Sequence, residues 1–305
     1  MSKKLSEFNK EIWNYYRKYR RDFPWRISDA NAARVTPYHI VVSEIMLQQT
    51  QAPRVVPRYE KFMKKFPDWK ALARATNAEV IGEWQGLGYN RRALYLKRIA
   101  ETVTSTDNGA SASETAAGEI PKTYDELYEL PGIGPNTAGS VLAFAWNLPH
   151  PFIETNIRSV FIHFFFKNRG KKNKKGEAAK KVSDAEILEL VAAALALPRN
   201  QQNPRDWYYA LMDYGVHLKS TQPNPSRRSA HHIKQSTFKG SNRELRAQLL
   251  RFILKQPATT AELIARFKAK DHEYCTPENI ERNILALEKE GFIQRNPTGV
   301  YSIKQ

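Results

Sequence analysis

Residues 130–166 read LPGIGPNTAGSVLAFAWNLPHPFIETNIRSVFIHFFF, and the fold is decided there. Residues 123–129 (TYDELYE) have helical composition, Leu130, Pro131, Gly132, Ile133 and Gly134 interrupt them, and an apolar run from Pro135 starts a second helix. This is a helical hairpin closed by a glycine turn. Gly132 and Gly134 let the backbone approach a ligand closely, and the N–H groups that open the next helix, around Asn136 and Thr137, suit a phosphate. A plain helical corner using Gly for positive φ gives the same pattern. Further on, Pro149 and Pro151 interrupt the chain and deliver Glu154 to the start of a helix with Ile157, Val160, Phe161 and Phe164 on its apolar side. Glu154 and Thr155 are either caps, since negative charge is favourable at a helix N-terminus, or part of a reaction site.

The composition says what such a site acts on. The chain has 305 residues, 41% of them hydrophobic, enough for one large domain or two with an ordinary globular core. Lys and Arg number 48 against 31 Asp and Glu, a net charge of +17 that favours a polyanionic partner, nucleic acid first. An anionic membrane surface is the rival. No apolar run approaches spanning length, however, and the N-terminus MSKKLSEFNK is not a signal peptide, which predicts a soluble protein of the cytoplasm. A single cysteine, Cys275, excludes an intramolecular disulfide and any metal or iron–sulfur site needing several thiolates.

A second carboxylate lies upstream. Residues 5–20 place Phe8, Ile12, Trp13, Tyr16 and Tyr19 at helical spacing, and an aromatic turn (Phe23, Pro24, Trp25, Arg26) follows. From Tyr38 the chain reads YHIVVSEIMLQQT, with Glu44 among Ile40, Val41, Val42, Ile45, Met46 and Leu47, a helix apolar nearly all round. Burial raises a carboxyl pKa, so Glu44 is either a general acid near neutral pH or a core glutamate paired with an arginine. Gln48, Gln49 and Thr50 either read base edges or end the helix in a polar surface. Short helices over 59–66 and 69–84 lead to Gly86, Leu87, Gly88 and Tyr89. That tyrosine either wedges into a base stack, with Arg91 and Arg92 on phosphates, or covers the core.

Beyond helix 91–102, residues 104–119 read as a polar loop, and the lysine-rich run 167–181 as a solvated one. Helices over 184–197 and 204–218 complete the apolar pattern. Residues 221–236, TQPNPSRRSAHHIKQS, read as a basic linker. After it, helices over 243–255, 259–267 and 277–291 and a hairpin around Asn296, Pro297, Thr298 and Gly299 follow the winged-helix order, a module that binds either DNA or protein.

Taken together, FPWR (23–26), SEIMLQQT (43–50), GLGY (86–89), LPGIGPNTAG (130–139), ETNIRSV (154–160) and MDYG (212–215) resemble the helix-hairpin-helix (HhH-GPD) DNA glycosylase superfamily, most closely its MutY adenine glycosylases. The resemblance covers roughly residues 23–218. It implies an all-α, two-lobed helix-hairpin-helix glycosylase fold over 1–220; the composition of 221–236 adds a basic linker, and the order of elements over 237–305 adds a C-terminal winged-helix domain. The resemblance also implies a base-excision-repair enzyme that flips a base out of duplex DNA and cuts its N-glycosidic bond, which requires an acid for the leaving base and an anion for the oxocarbenium-like sugar. Glu44 matches the acid, which protonates an adenine ring nitrogen. Glu154 falls where the family has Asp, one methylene longer. Asn156 matches a supporting asparagine, Gln48 and Tyr89 match the residues that probe the opposite base and wedge the stack, and Gly132 and Gly134 match the phosphate-binding turn. Asn136 stands where bifunctional relatives carry a Schiff-base lysine, which implies a monofunctional enzyme.

The departures shape the expectation. The family's four-cysteine loop is represented by Lys219, Ser226, Ser229 and Gln235, so no iron–sulfur cluster is expected, and Lys219, Arg227, Arg228, His231, His232 and Lys234 are expected to grip phosphates instead. A winged helix stands where MutY proteins carry an 8-oxoguanine-recognition domain, and Asn136 differs from the Ser or Tyr of adenine-specific members. The expected partner is double-stranded DNA with a mismatch or oxidised base, bound by a monomer in the cytoplasm, at the nucleoid if bacterial. The alternatives are a thymine or uracil mismatch glycosylase on the same fold and a DNA-binding protein without catalysis.

Overall fold

Helices form on both sides of the glycine turn, and among the described residues the strands lie near the C-terminus. The computed structural model describes residues 2–27, 35–105, 119–167, 169, 180–233, 237–268 and 274–305. In chain order the elements are α1 (Ser2–Tyr19), α2 (Pro37–Leu47), α3 (Ala52–Lys65), α4 (Trp69–Arg74), α5 (Asn77–Trp84), α6 (Arg91–Thr104), α7 (Tyr124–Tyr128), α8 (Pro135–Trp146), α9 (Thr155–Phe165), α10 (Asp184–Leu195), α11 (Pro198–Gln202) and α12 (Pro204–Thr221). A 3-10 turn at Pro225–Arg228 follows, then α13 (Asn242–Lys255), β1 (Ala258–Thr259), α14 (Thr260–Lys268), α15 (Pro277–Lys289), β2 (Ile293–Arg295) and β3 (Val300–Ile303). Most of the expected loops at 104–119 and 167–181, together with Lys234 and Gln235, lie outside the described residues.

The chain divides into two compact units: residues 1–44 with 120–233, and 45–119 with 234–305. The first is built on a core of Phe8, Ile12 and Trp13 from α1, Phe144 from α8, Ile157, Val160 and Phe161 from α9, and Trp207, Tyr208 and Leu211 from α12, all buried. Their spacing of three and four residues is what packs α12 against both α1 and α9. The α1 stripe ends sooner than its periodicity suggests. Tyr16 is half-buried, and Tyr19, 60% exposed, lies against Tyr15 rather than in the core. Residues 222–233, read as a linker, are fixed to this unit: Val182 pairs with Ser229, and the Asn224 side chain caps the 3-10 turn through the Ser226 N–H at 3.0 Å.

In the second unit the expected helix over 69–84 is two helices. Thr76 and Glu79 form a reciprocal capping box that ends α4 and starts α5. At the C-terminus α13, β1, α14, α15 and the β2–β3 hairpin form a winged-helix module whose antiparallel sheet has the order β1-β3-β2. The two-residue β1, too short to read from sequence, pairs with β3 through Ala258 opposite Tyr301 and Thr259 opposite Val300. The hairpin turns at Asn296, whose side chain accepts the Val300 N–H at 2.8 Å, and at Gly299 with φ +84°. The module's core continues through Ile81 of α5 and Leu94 of α6, and Arg91 pairs with Glu290 at 3.1 Å. Arg91, expected on a phosphate, is held in that pair because Glu290 offers an anion within its reach.

Arg92 also departs from expectation. It is 6% exposed, and its guanidinium donates to the carbonyls of Ile45 (2.8 Å), Met46 (3.0 Å), Gln48 (2.5 Å), Leu87 (3.3 Å) and Gly88 (3.0 Å) and to the Thr50 hydroxyl (3.2 Å). Removing it leaves carbonyls at a helix end and a glycine turn without donors, each costing about 1–3 kcal/mol. Arg92→Met is therefore expected to lower stability by about 3 kcal/mol or more, read as a fall in melting temperature. An unchanged melting curve contradicts the bracing role.

Candidate active site

The apolar surface of α2 forces the first site residue into place. Ile40, Val41, Val42, Ile45 and Met46 are buried, so the helix carries Glu44 inward with them. Glu44 keeps a small accessible surface, and its Oε2 lies 2.6 Å from the Ser140 hydroxyl on α8. Burial pushes its carboxyl pKa up from 4.5 to about 7; the Ser140 hydrogen bond opposes the rise, the charge of Glu154 adds to it and Arg26 opposes it. Ser140 serves either protonation state. It donates to the carboxylate, or it accepts the carboxylic O–H while donating to the Thr137 carbonyl at 3.0 Å.

Glu154 is the N-cap of α9, so the capping alternative describes a real contact. Its side chain folds back so that Oε1 accepts the N–H groups of Asn156 (2.7 Å) and Ile157 (3.0 Å), while Oε2 accepts the Asn156 side-chain N–H at 3.2 Å. The group is half-buried, with Oε2 carrying one donor and lone pairs to spare. Asn136, at the N-terminus of α8, accepts the Ile153 N–H at 3.1 Å and so ties the hairpin to the segment that presents Glu154. Gly132 has φ +77°, a conformation that favours glycine, whereas a Cβ at Gly134 would meet nothing within 4 Å. The N-terminus of α8 carries no side-chain cap. Thr137 lies in the first turn of the same helix.

The remaining candidates of this unit divide. Arg227 is exposed on the 3-10 turn. Arg228 points inward, donating to the carbonyls of Phe166 (2.6 Å), Lys167 (3.0 Å), Arg169 (3.3 Å) and Ile162 (3.3 Å), because the free carbonyls beyond α9 are its nearest acceptors. Lys219 donates to the Asn156 side chain at 2.7 Å instead of reaching outward. His231 is exposed and His232 half-buried. Of the positions aligned with the family's four-cysteine loop, Lys219 is engaged by Asn156, Ser226 donates to Asn224 at 2.9 Å and Ser229 is buried in its pairing with Val182, and none of the three side chains is a thiolate. Among the described residues no group of three or more His, Cys, Asp or Glu could hold a metal ion, and no helix is long and apolar enough to cross a membrane.

In the second unit, Gln48, Gln49 and Thr50 follow α2, and Tyr89 follows the glycine turn. Gln49 (φ 55°) and Tyr89 (φ 47°) occupy the left-handed region, where side chains other than Gly are uncommon. Arg92 braces both turns. Tyr89 is 38% exposed, and its hydroxyl accepts from Arg243 of α13 at 3.0 Å. Sequence reasoning missed Ser140, Arg243 and the pairing of Asp213, which is 2% exposed and receives Arg26 at 2.8 and 2.9 Å and Arg21 at 2.6 Å. A carboxylate inside an apolar helix was the available signal for Asp213, the same one that marked Glu44.

Residues 42–184 match the model of the HhH-GPD superfamily base excision DNA repair protein family. The chain carries an HhH-GPD domain. Over 159 residues, 52% of its length, the chain is 36% identical to the adenine DNA glycosylase of Buchnera aphidicola subsp. Baizongia pistaciae, covering 41% of that protein. Over 150 residues, 49% of its length, it is 37% identical to the adenine DNA glycosylase of Mycolicibacterium smegmatis, covering 46% of that protein. The chain thus spans less than half the length of these curated relatives. Among solved structures it is similar in fold to a thermostable thymine-DNA glycosylase, with a TM-score of 0.56 and 24% identity, covering 75% of this chain and 94% of that one. This HhH-GPD domain contains Glu44, Ser140, Glu154 and Asn156.

The raised pKa of Glu44 ties stability to pH. Unfolding lets its proton go near pH 4.5, while the folded protein holds it to about 7. The group's contribution is therefore full below pH 4.5 and is lost as pH rises through 7. Glu44→Gln keeps an acceptor for Ser140 and cannot ionise. It is expected to be more stable than the parent at pH 8, on the order of 3 kcal/mol, and to unfold alongside it at pH 4. Equal melting temperatures at both pH values contradict the buried, protonated carboxyl.

Proposed function

We propose that the protein is a monofunctional DNA glycosylase of base excision repair that hydrolyses the N-glycosidic bond of adenine opposite guanine or 8-oxoguanine in duplex DNA. The observation that carries this reading is the pairing, in one unit, of a carboxyl that keeps its proton near neutral pH (Glu44) with a second carboxyl, Glu154, whose oxygens accept three hydrogen bonds. Pure DNA binding needs neither. The adenine DNA glycosylases similar to half of this chain support the choice of base.

The reaction follows from the two environments. Glu44 donates its proton to a ring nitrogen of adenine, and the C–N bond breaks with its electrons moving to the base. Positive charge develops on the sugar and is stabilised by Glu154, whose Oε2 has lone pairs to spare. Water adds to the sugar carbon, and the proton it loses restores Glu44. An abasic site remains. Asn136 offers no amine for a Schiff base, and its amide oxygen already holds the Ile153 N–H, which supports a monofunctional enzyme without lyase chemistry. No step needs an iron–sulfur cluster.

DNA is gripped, in this reading, by the uncapped N-terminus of α8 beyond Gly132 and Gly134 and by Arg227. Gln48, Gln49, Thr50 and Tyr89 act on the opposite base and the stack. The protein works as a monomer in the cytoplasm, at the nucleoid if its source is bacterial.

The test is a panel of duplexes carrying A opposite G, A opposite 8-oxoguanine, T opposite G and U opposite G, incubated with the protein and treated with alkali. Strand breaks at A, dependent on alkali, are expected, and Glu44→Gln should slow them by at least about 100-fold. Breaks at T or U alone would replace adenine as the substrate; breaks without alkali would refute the monofunctional reading; no breaks at all would refute the glycosylase.

A further inference from the structure

We propose that Lys219 is a positioning residue of this site: its ammonium fixes the side-chain amide of Asn156 so that the amide N–H points at Glu154 and sets the carboxylate toward the reacting sugar. The proposal rests on the glycosylase reading above and adds a residue to it. Lys219 lies in the last turn of α12, with its Nζ 2.7 Å from Asn156 Oδ1. An ammonium only donates, so the oxygen of the amide must face Lys219 and the nitrogen must face Glu154, 3.2 Å from its Oε2. The direction of the whole chain follows. Lys219 donates to Asn156, Asn156 donates to Glu154, and Glu154 accepts on both oxygens.

The backbone is arranged for this contact. Gly215, one turn before Lys219, has no side chain at the point where a Cβ would come within 2.6–2.8 Å of Asn156 Cβ, O and Cα. Any other residue there would push α12 away from the start of α9. The neighbouring cations have their own partners: Arg158 is paired with Asp184 at 2.6 Å and Arg21 with Asp213 at 2.6 Å. Lys219 is half-buried; burial lowers its pKa, Glu154 opposes that, and Arg158 and Arg21 add to it. A lysine gripping a phosphate has no need of such a site.

The experiment compares Lys219→Met, Lys219→Arg, Asn156→Ala and the double variant Lys219→Met/Asn156→Ala in single-turnover base release and in duplex binding. Lys219→Met is expected to release base about 10- to 100-fold more slowly with affinity unchanged, Lys219→Arg to recover most of that loss, and Lys219→Met to cost little when Asn156 is already Ala. Weakened binding with an unchanged rate, or a full additional loss in the Asn156→Ala background, overturns the proposal. Should Lys219→Met fail to fold, Lys219→Gln takes its place. If the parent protein releases no base from any duplex, the functional reading falls by itself. Crystal structures of the parent and Lys219→Met then decide: Asn156 rotated off Glu154 in the variant supports the positioning role, and an unmoved Asn156 refutes it.

Discussion

A carboxyl group taken out of water without an ion pair is the constraint on which this site depends. Among the described residues Glu44 makes no salt bridge, and its one hydrogen-bonded partner, Ser140, is neutral and able to donate or accept. Desolvation therefore acts with little opposition and keeps a proton on the group near neutral pH. Asp213 shows the other outcome in the same unit. It is more deeply buried, but Arg26 and Arg21 surround it with charge-assisted hydrogen bonds, so it serves as a structural anchor for the turn after α1. Two acids on apolar helices thus do different work because one is hydrogen-bonded to two arginines and the other, which feels Arg26 only at a distance, is hydrogen-bonded to a neutral serine.

Both units use the same device to hold irregular backbone: a guanidinium inserted among free carbonyls. Arg228 does this beyond α9, fixing the 3-10 turn at residues 225–228. Arg92 does it beneath the two turns that carry Gln49 and Tyr89 in left-handed conformations, so strain at these positions is supported from a buried point. The winged-helix module belongs to the same compact unit as those turns, and Arg243 from its first helix meets the Tyr89 hydroxyl. Its packing partners include α5 and α6, which gives it a structural role in addition to any contact it makes with DNA.

Much of this was legible in the sequence. The period of the apolar residues gave the helices of the first unit, glycines and prolines marked the hairpin, and the order of C-terminal elements gave the winged helix. Glu44 could be singled out because a lone acid in an apolar helix is costly. The cation partners of Asp213, by contrast, come from residues almost two hundred positions away, and no local pattern encodes that pairing. The arginines were misjudged for a related reason: a sequence shows their charge, whereas the unsatisfied carbonyls that draw Arg92 and Arg228 inward appear only when helix ends are placed. Lys219 was read as a surface cation because its partner Asn156 lies 63 residues upstream. Glu154 carried two readings, and the geometry accommodates both, since its Oε1 caps α9 while Oε2 keeps lone pairs to spare.

The most direct test of the account is the pH dependence of single-turnover base release from a duplex with adenine opposite 8-oxoguanine. If Glu44 is the acid, the rate is flat at low pH and falls about tenfold per unit above about pH 7, and the limb disappears in Glu44→Gln along with most of the activity. A rate that stays level through pH 8.5, or a Glu44→Gln variant that releases adenine as fast as the parent, would contradict it.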